Sequence, residues 1–224
     1  MKKTLLPTVL LAALLAPVPA LAQSSCASDG QPRPVALLER FINADCASCW
    51  SDPQAPAAQR GEVALDWIVP GGRGDDAPLS AAATRDSLAR LQALGRDAPP
   101  QTDQARGRTV AKRTLRVAHG MPFNDYIGAS IEMKPAARGR WTAWLALVET
   151  IPVGTEGTAV ERNLVRNLLQ VPWQASRAPA RLLESRPMLI AEGVRAERLR
   201  VIGWVEDAQG HIHGIAQSVC DAAR

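Results

Sequence analysis

The sequence predicts an α+β protein in which a small α/β unit precedes a mainly antiparallel, sandwich-like β unit. Three observations carry this expectation. Two apolar runs of strand length, 35–42 and 62–69, flank a Cys-Ala-Ser-Cys motif. One clear helical period follows them, at 80–94. Beyond residue 108 the apolar runs are mostly of strand length, with turn residues between them.

The chain opens on Met1-Lys2-Lys3 and continues with an apolar run, 5–15, interrupted by Pro7 and Thr8. Pro17 and Pro19 then precede Ala20-Leu21-Ala22. A basic start, a short apolar stretch and a small-x-small end make a secretory signal peptide, so 1–22 is expected to be removed after Ala22. Crossing a bilayer takes about 20 apolar residues, which neither this run nor a later one supplies, so no stable membrane insertion is expected. Cys26 would be a lipidation site only if cleavage fell directly before it, and Gln23-Ser24-Ser25 fits such a signal poorly. The expected location is periplasmic or secreted, where an oxidising environment lets disulfides persist.

Two units are expected after the leader, 23–108 and 109–224. Residues 35–42 read Val-Ala-Leu-Leu-Glu-Arg-Phe-Ile, a strand. Asp52-Pro53 has the form of a helix N-cap followed by a first-turn proline. In 62–69 the side chains of Val63, Leu65, Trp67 and Val69 share one face of a second strand. Pro70-Gly71-Gly72-Arg73-Gly74 is a loop. Leu88, Leu91 and Leu94 recur at helical spacing, and Gly95 sits where a C-cap glycine belongs. The polar stretch 97–107 has no apolar period and is expected to connect the units. Strands are then expected at 114–118, 126–133 and 141–151. Two more, 200–206 and 211–219, flank the hairpin signal Asp207-Ala208-Gln209-Gly210. Residues 161–169 suit a helix or a strand.

Lys and Arg total 26 against 22 acidic residues, giving a net charge of +4 to which Lys2 and Lys3 contribute two. The positive side chains are dispersed and the aromatics few, which argues against nucleic acid as a partner. No histidine accompanies a nucleophile-elbow serine, so hydrolase chemistry has no support. Gly71, Gly72 and Gly74 lack the Lys-Ser/Thr that completes a phosphate loop, and no cofactor is expected.

Four cysteines in an exported chain invite pairing, with three connectivities open. Cys46 and Cys49 are one helical turn apart. Cys26 and Cys220 lie at opposite ends of the exported chain, and domain termini are often neighbours. The favoured set is Cys46–Cys49 together with Cys26–Cys220, the latter a structural bridge tying the two units. A CxxC between strand and helix would make Cys46 an exposed nucleophile at a helix N-terminus, where unpaired N–H groups favour a thiolate. Cys49 would then resolve the mixed disulfide. Zinc sites share this spacing but normally add a second Cys or His pair, which does not follow here.

The run Glu39-Arg40-Phe41-Ile42-Asn43-Ala44-Asp45-Cys46-Ala47-Ser48-Cys49, the prolines after it and Val63-Ala64-Leu65-Asp66-Trp67 resemble a family of secreted bacterial thioredoxin-like proteins of unknown function. The resemblance extends to 157–166 and to Val201-Ile202-Gly203-Trp204-Val205, Gly210 and Gly214-Ile215-Ala216. It implies a thioredoxin-like first unit with Cys46 and Cys49 as the redox pair, and it implies no substrate. A thioredoxin-like site sets a cis-proline beside its cysteines; Pro100 is the first candidate and Pro122 the second. Asp45 stands where thioredoxins carry Trp, and a carboxylate there should raise the Cys46 pKa.

The leading functional expectation is an exported thiol–disulfide oxidoreductase acting on cysteine thiols or disulfides of other exported proteins. The alternative is a non-enzymatic periplasmic binding or envelope protein whose disulfides are structural. A third reading is metal handling through Cys46, Cys49 and a histidine. His211 and His213 share a strand face, an arrangement that can ligate metal but is more often a solvated surface. His119 beside Gly120 reads as a turn residue. Trp141, Trp144, Trp173 and Trp204 read as core, because Phe and Tyr number only 2 and 1.

Overall fold

The two N-terminal apolar runs form a parallel pair, β2 (Ala36–Asn43) and β3 (Glu62–Val69), in register from Ala36↔Glu62 to Asn43↔Val69. Both are buried along nearly their whole length, one face in the core with Trp204 and Leu91 and the other beneath the segments that carry Trp50 and Ala77. The computed structural model describes residues 26–111 and 113–220, and the expected signal peptide, 1–22, lies outside them.

The remaining strands are β1 (Cys26–Ala27), β4 (Thr102–Arg108), β5 (Leu115–His119), β6 (Tyr126–Ala136), β7 (Gly139–Ile151), β8 (Arg162–Ala175), β9 (Ala180–Leu189), β10 (Leu199–Asp207), β11 (Ile212–Gln217) and β12 (Val219–Cys220). They form a seven-stranded sheet of order β11-β10-β7-β8-β3-β2-β4 and a five-stranded sheet of order β12-β1-β5-β6-β9. The larger sheet curls until the chain beyond one edge meets the other. After β4, the Val110 N–H donates to Ile212 O at 2.9 Å and the Arg113 N–H to His213 O at 3.1 Å. Gly107 permits this approach, since a Cβ there would lie 2.6 Å from Ile212 Cδ1.

Within the curl, Phe41, Leu65, Trp67, Trp144 and Trp204 pack with Leu91 of helix α2 (Arg85–Ala93). On the outer face the five-stranded sheet closes a sandwich, with Val117, Ile131 and Met133 against Leu145, Leu147 and Val201. All four tryptophans expected in the core are buried. The interior of the curl also holds charge. Arg90 is 1% exposed and donates to Glu39 at 2.8 and 2.7 Å and to Glu206 at 2.9 Å. Its guanidinium lies 4.9 and 5.1 Å from the ring centres of Trp144 and Trp204. Those indole N–H groups donate to Glu206 at 2.8 and 3.0 Å. Burial opposes the Arg90 charge, but Glu39 and Glu206 outweigh it and raise the pKa above its ordinary value.

The α+β expectation is overturned. Strand makes up 50% of the structure and helix 11%. Helix α1 (Ala47–Trp50) is a single turn of four residues. The proline-bearing segment after it forms no helix: Asp52 Oδ1 accepts the Gln54 N–H at 2.8 Å, a local turn in place of the expected N-cap. The helix expected over 80–94 runs only from Arg85 to Ala93, preceded by a separate turn at Ser80–Ala82. The parallel pair β2–β3 is extended by antiparallel β4 on one side and by β8 on the other, without the helical layers of a thioredoxin-like unit. The boundary expected at 108/109 falls inside the seven-stranded sheet, which takes strands from both sides of it. Residues 161–169 are strand.

Removing the Arg90 cation by Arg90→Met leaves Glu39 and Glu206 buried together without their partner. Stability should fall by about 3–5 kcal/mol, read as a lower urea midpoint for the purified chain; an unchanged midpoint would show that the cluster contributes nothing net.

Candidate functional site

The turn that carries the CxxC is organised from Asn43, the last residue of β2. Its Oδ1 accepts the Asp45 N–H at 2.9 Å, its main-chain O accepts the Cys46 N–H at 2.9 Å, and its Nδ2 donates to Pro99 O at 2.9 Å. Cys46 then caps α1, and the Cys49 N–H donates to Cys46 O at 3.2 Å. The two cysteines form a disulfide. Both are half-buried, and Ala47 and Ser48 between them are exposed. The Ser48 hydroxyl lies 3.6 Å from Cys46 Sγ, and it is the donor because a disulfide sulfur has no proton. Cys46 thus stands at a helix start as expected, but one turn supplies little of the dipole that a longer helix would.

Asp45 does not spend its charge on the sulfur. Its carboxylate accepts the Gly72 N–H at 2.9 Å and the Arg73 N–H at 3.3 Å. The loop can close this tightly because Gly71 has no side chain; a Cβ there would run into the Asp45 carboxylate and the Asn43 amide. The carboxylate that the sequence sets beside Cys46 is therefore engaged by backbone amides of the 71–73 loop.

Beneath the turn lies a second charged cluster. Asp66, fully buried in β3, accepts from Arg40 Nη2 at 2.7 Å, from Arg162 Nη1 at 2.9 Å and from the Asn163 N–H at 2.9 Å. Arg162 also donates to Trp50 O at 2.9 Å, reaches Cys49 O at 3.5 Å and lies 5.1 Å from the centre of the Trp50 ring. Burial pulls the Arg162 pKa below its ordinary value, while Asp66 resists the shift. Arg40 extends to Pro56 O at 2.8 Å and Glu161 O at 3.0 Å. Beside the motif opens a cleft of about 270 Å³ whose lining includes Arg40, Cys49, Asp52, Thr102, Gln104 and Arg162.

Pro100 is exposed just before β4. Its neighbours touch the motif's root, with Pro99 O and Gln101 O both accepting from Asn43, the latter at 2.8 Å. The cis peptide bonds among the described residues precede Pro135 and Pro179, not Pro100 or Pro122, so the cis-proline expectation is corrected.

The second bridge joins Cys26 and Cys220. It links β1 to β12 within the five-stranded sheet instead of tying two units together. His119 is no turn residue: it ends β5, is 4% exposed, and stands directly across from Cys26. Burial lowers its pKa against the opposing hydrogen bond to Gly120 O at 2.9 Å. The two disulfides fit an extracytoplasmic protein, and no helix among the described residues is long and apolar enough to cross a membrane.

His211 and His213 converge on one carboxylate. Asp207 Oδ2 lies 2.8 Å from His213 Nε2 and 3.2 Å from His211 Nδ1, while Oδ1 accepts the Gln209 and His211 N–H groups at 2.9 and 3.0 Å. The pair braces the β10–β11 turn.

No family model, curated protein or solved structure matches this chain.

The residues that sequence reasoning overlooked are Arg40, Asp66 and Arg162. The first two left a signal in the sequence, Arg40 beside Glu39 in the middle of one apolar run and Asp66 between Leu65 and Trp67 in the other.

Asp207 carries a pH dependence. Burial acts to raise its pKa, but hydrogen bonds from His213, from the His211 and Gln209 amides and from the His211 ring hold it at about 2. A folded pKa below the unfolded value of about 3.9 adds stability above that pH and loses it as pH falls toward 2. Asp207→Asn should therefore flatten the stability profile between about pH 4 and pH 2 in thermal melts, and an unaltered acid slope would contradict the assignment.

Proposed function

We propose that this chain is an extracytoplasmic thiol–disulfide exchange protein that uses the Cys46–Cys49 bridge. The supporting observation is a half-exposed disulfide on a rigidly held single turn, beside a cleft that carries Arg40 and Arg162. Fixed positive charge near a cysteine stabilises its thiolate and so favours the reduced form. In one direction, a thiolate of an exported protein attacks a sulfur of the bridge. The S–S bond breaks, a mixed disulfide forms, and the other cysteine leaves as a thiolate. A second substrate thiolate then releases the chain with both cysteines reduced and the substrate oxidised. The reverse sequence, with Cys46 attacking a substrate disulfide and Cys49 resolving it, uses the same geometry. Partners of this chemistry are exported proteins with cysteine thiols or disulfides.

A specific observation favours the alternative of a structural brace. Trp50 is buried beneath Arg162, and its indole N–H donates to Glu156 O at 2.8 Å, so the turn is pinned from inside whatever the sulfurs do. Equilibration with a thiol redox buffer separates the two readings. An exchange protein should show a Cys46–Cys49 potential above about −300 mV and catalysed insulin reduction or oxidative refolding that Cys46→Ser abolishes. A potential far below that value, or activity that survives Cys46→Ser, would leave a brace.

A further inference from the structure

We propose that reduction of the Cys26–Cys220 bridge converts it, with His119, into a binding site for Zn²⁺. The three residues form a row across adjacent strands, since Cys26 is register partner to Cys220 of β12 on one side and to His119 of β5 on the other. Directly opposed residues in antiparallel strands project to the same face. Their ligand atoms already lie within 4.8 Å of one another.

The imidazole is oriented for coordination. His119 Nδ1 is 2.9 Å from Gly120 O, and a carbonyl oxygen can only accept, so Nδ1 carries the proton. Nε2 then turns its lone pair toward Cys220 Sγ, 4.0 Å away. A second ring nitrogen bonded to a backbone carbonyl is the usual support of a metal-bound histidine. With Zn–S near 2.3 Å and Zn–N near 2.1 Å, tetrahedral ligand atoms stand about 3.5–3.8 Å apart. Breaking the S–S bond lets the sulfurs part to that spacing by side-chain rotation alone. Cys26 and His119 are buried while Cys220 is exposed, so an ion would have two shielded ligands and one open side. Two thiolates and an imidazole are donors that select zinc over calcium or magnesium.

The chemistry balances. A thiol reductant passes two electrons and two protons to the bridge and becomes a disulfide itself. Zn²⁺ then displaces both thiol protons and binds the two thiolates and the neutral imidazole.

The test uses the full chain with Cys46→Ser and Cys49→Ser, so that those thiols cannot compete. Reduced anaerobically with a phosphine, it should take up one Zn²⁺ per chain, while the oxidised chain takes up none. X-ray absorption of the loaded chain should show two sulfur and at least one nitrogen neighbour. Adding His119→Gln should weaken Zn²⁺ binding by about tenfold or more. Uptake well below one ion per chain, a metal shell without sulfur and nitrogen together, or unchanged affinity in a His119→Gln chain would overturn the proposal. The shell composition decides even where that variant folds poorly.

Discussion

Asp66 is the charge on which the rest of this structure turns. Within the seven-stranded sheet, the β2–β3–β4 block adjoins the later strands through β3 and β8, a parallel contact with a single register pair, Asp66↔Leu164. A contact so short in backbone pairing is reinforced by side chains. Asp66 binds Arg40 of β2, Arg162 of β8 and the amide of Asn163, and Asn163 Nδ2 returns to Ala64 O at 3.0 Å. A fully buried carboxylate would be prohibitive alone and is tolerated because every strand around it contributes a donor. Through Arg162 the same carboxylate governs the CxxC turn, whose last carbonyl groups Arg162 binds. Fold and candidate chemistry thus share one anchor.

The curled sheet repeats this solution on its other face, where Arg90 sits between Glu39 and Glu206 under two tryptophan rings. Glu39 and Arg40 are consecutive and point to opposite faces of β2, so each falls into a different cluster. One strand therefore pins both the helix inside the curl and the turn outside it.

What the sequence showed follows from where water is. Strands with one continuous apolar face were legible: 62–69 is β3 to the residue, and Val63, Leu65, Trp67 and Val69 do share the inner face. The hairpin at Asp207–Gly210 was legible through its turn chemistry. Strands β4 and β9 were not, because both are sheet edges whose residues alternate between solvent and partial cover, so polar side chains erase the apolar period. The helix after the CxxC was expected from Asp52-Pro53, a local signal that a local turn satisfied equally well. The cysteine pairings followed from spacing and chain ends. The arginines behind Cys49 come from strands 122 positions apart and met only once the sheet was assembled, too distant for any local pattern to register.

The two bridges differ in what surrounds them. Cys46–Cys49 is backed by the Arg162 guanidinium, which a buried carboxylate holds, and Cys26–Cys220 by a buried imidazole. The most direct test of Asp66 as common anchor is to measure the reduction potentials of both bridges in Asp66→Asn and in the parent chain. Losing the carboxylate leaves the Arg40 and Arg162 charges less compensated beside Cys49, which should stabilise thiolates and make the Cys46–Cys49 potential more oxidising by about 30 mV or more. The Cys26–Cys220 potential should not move. A Cys46–Cys49 potential that is unchanged or more reducing, in a chain that remains folded, would contradict the account.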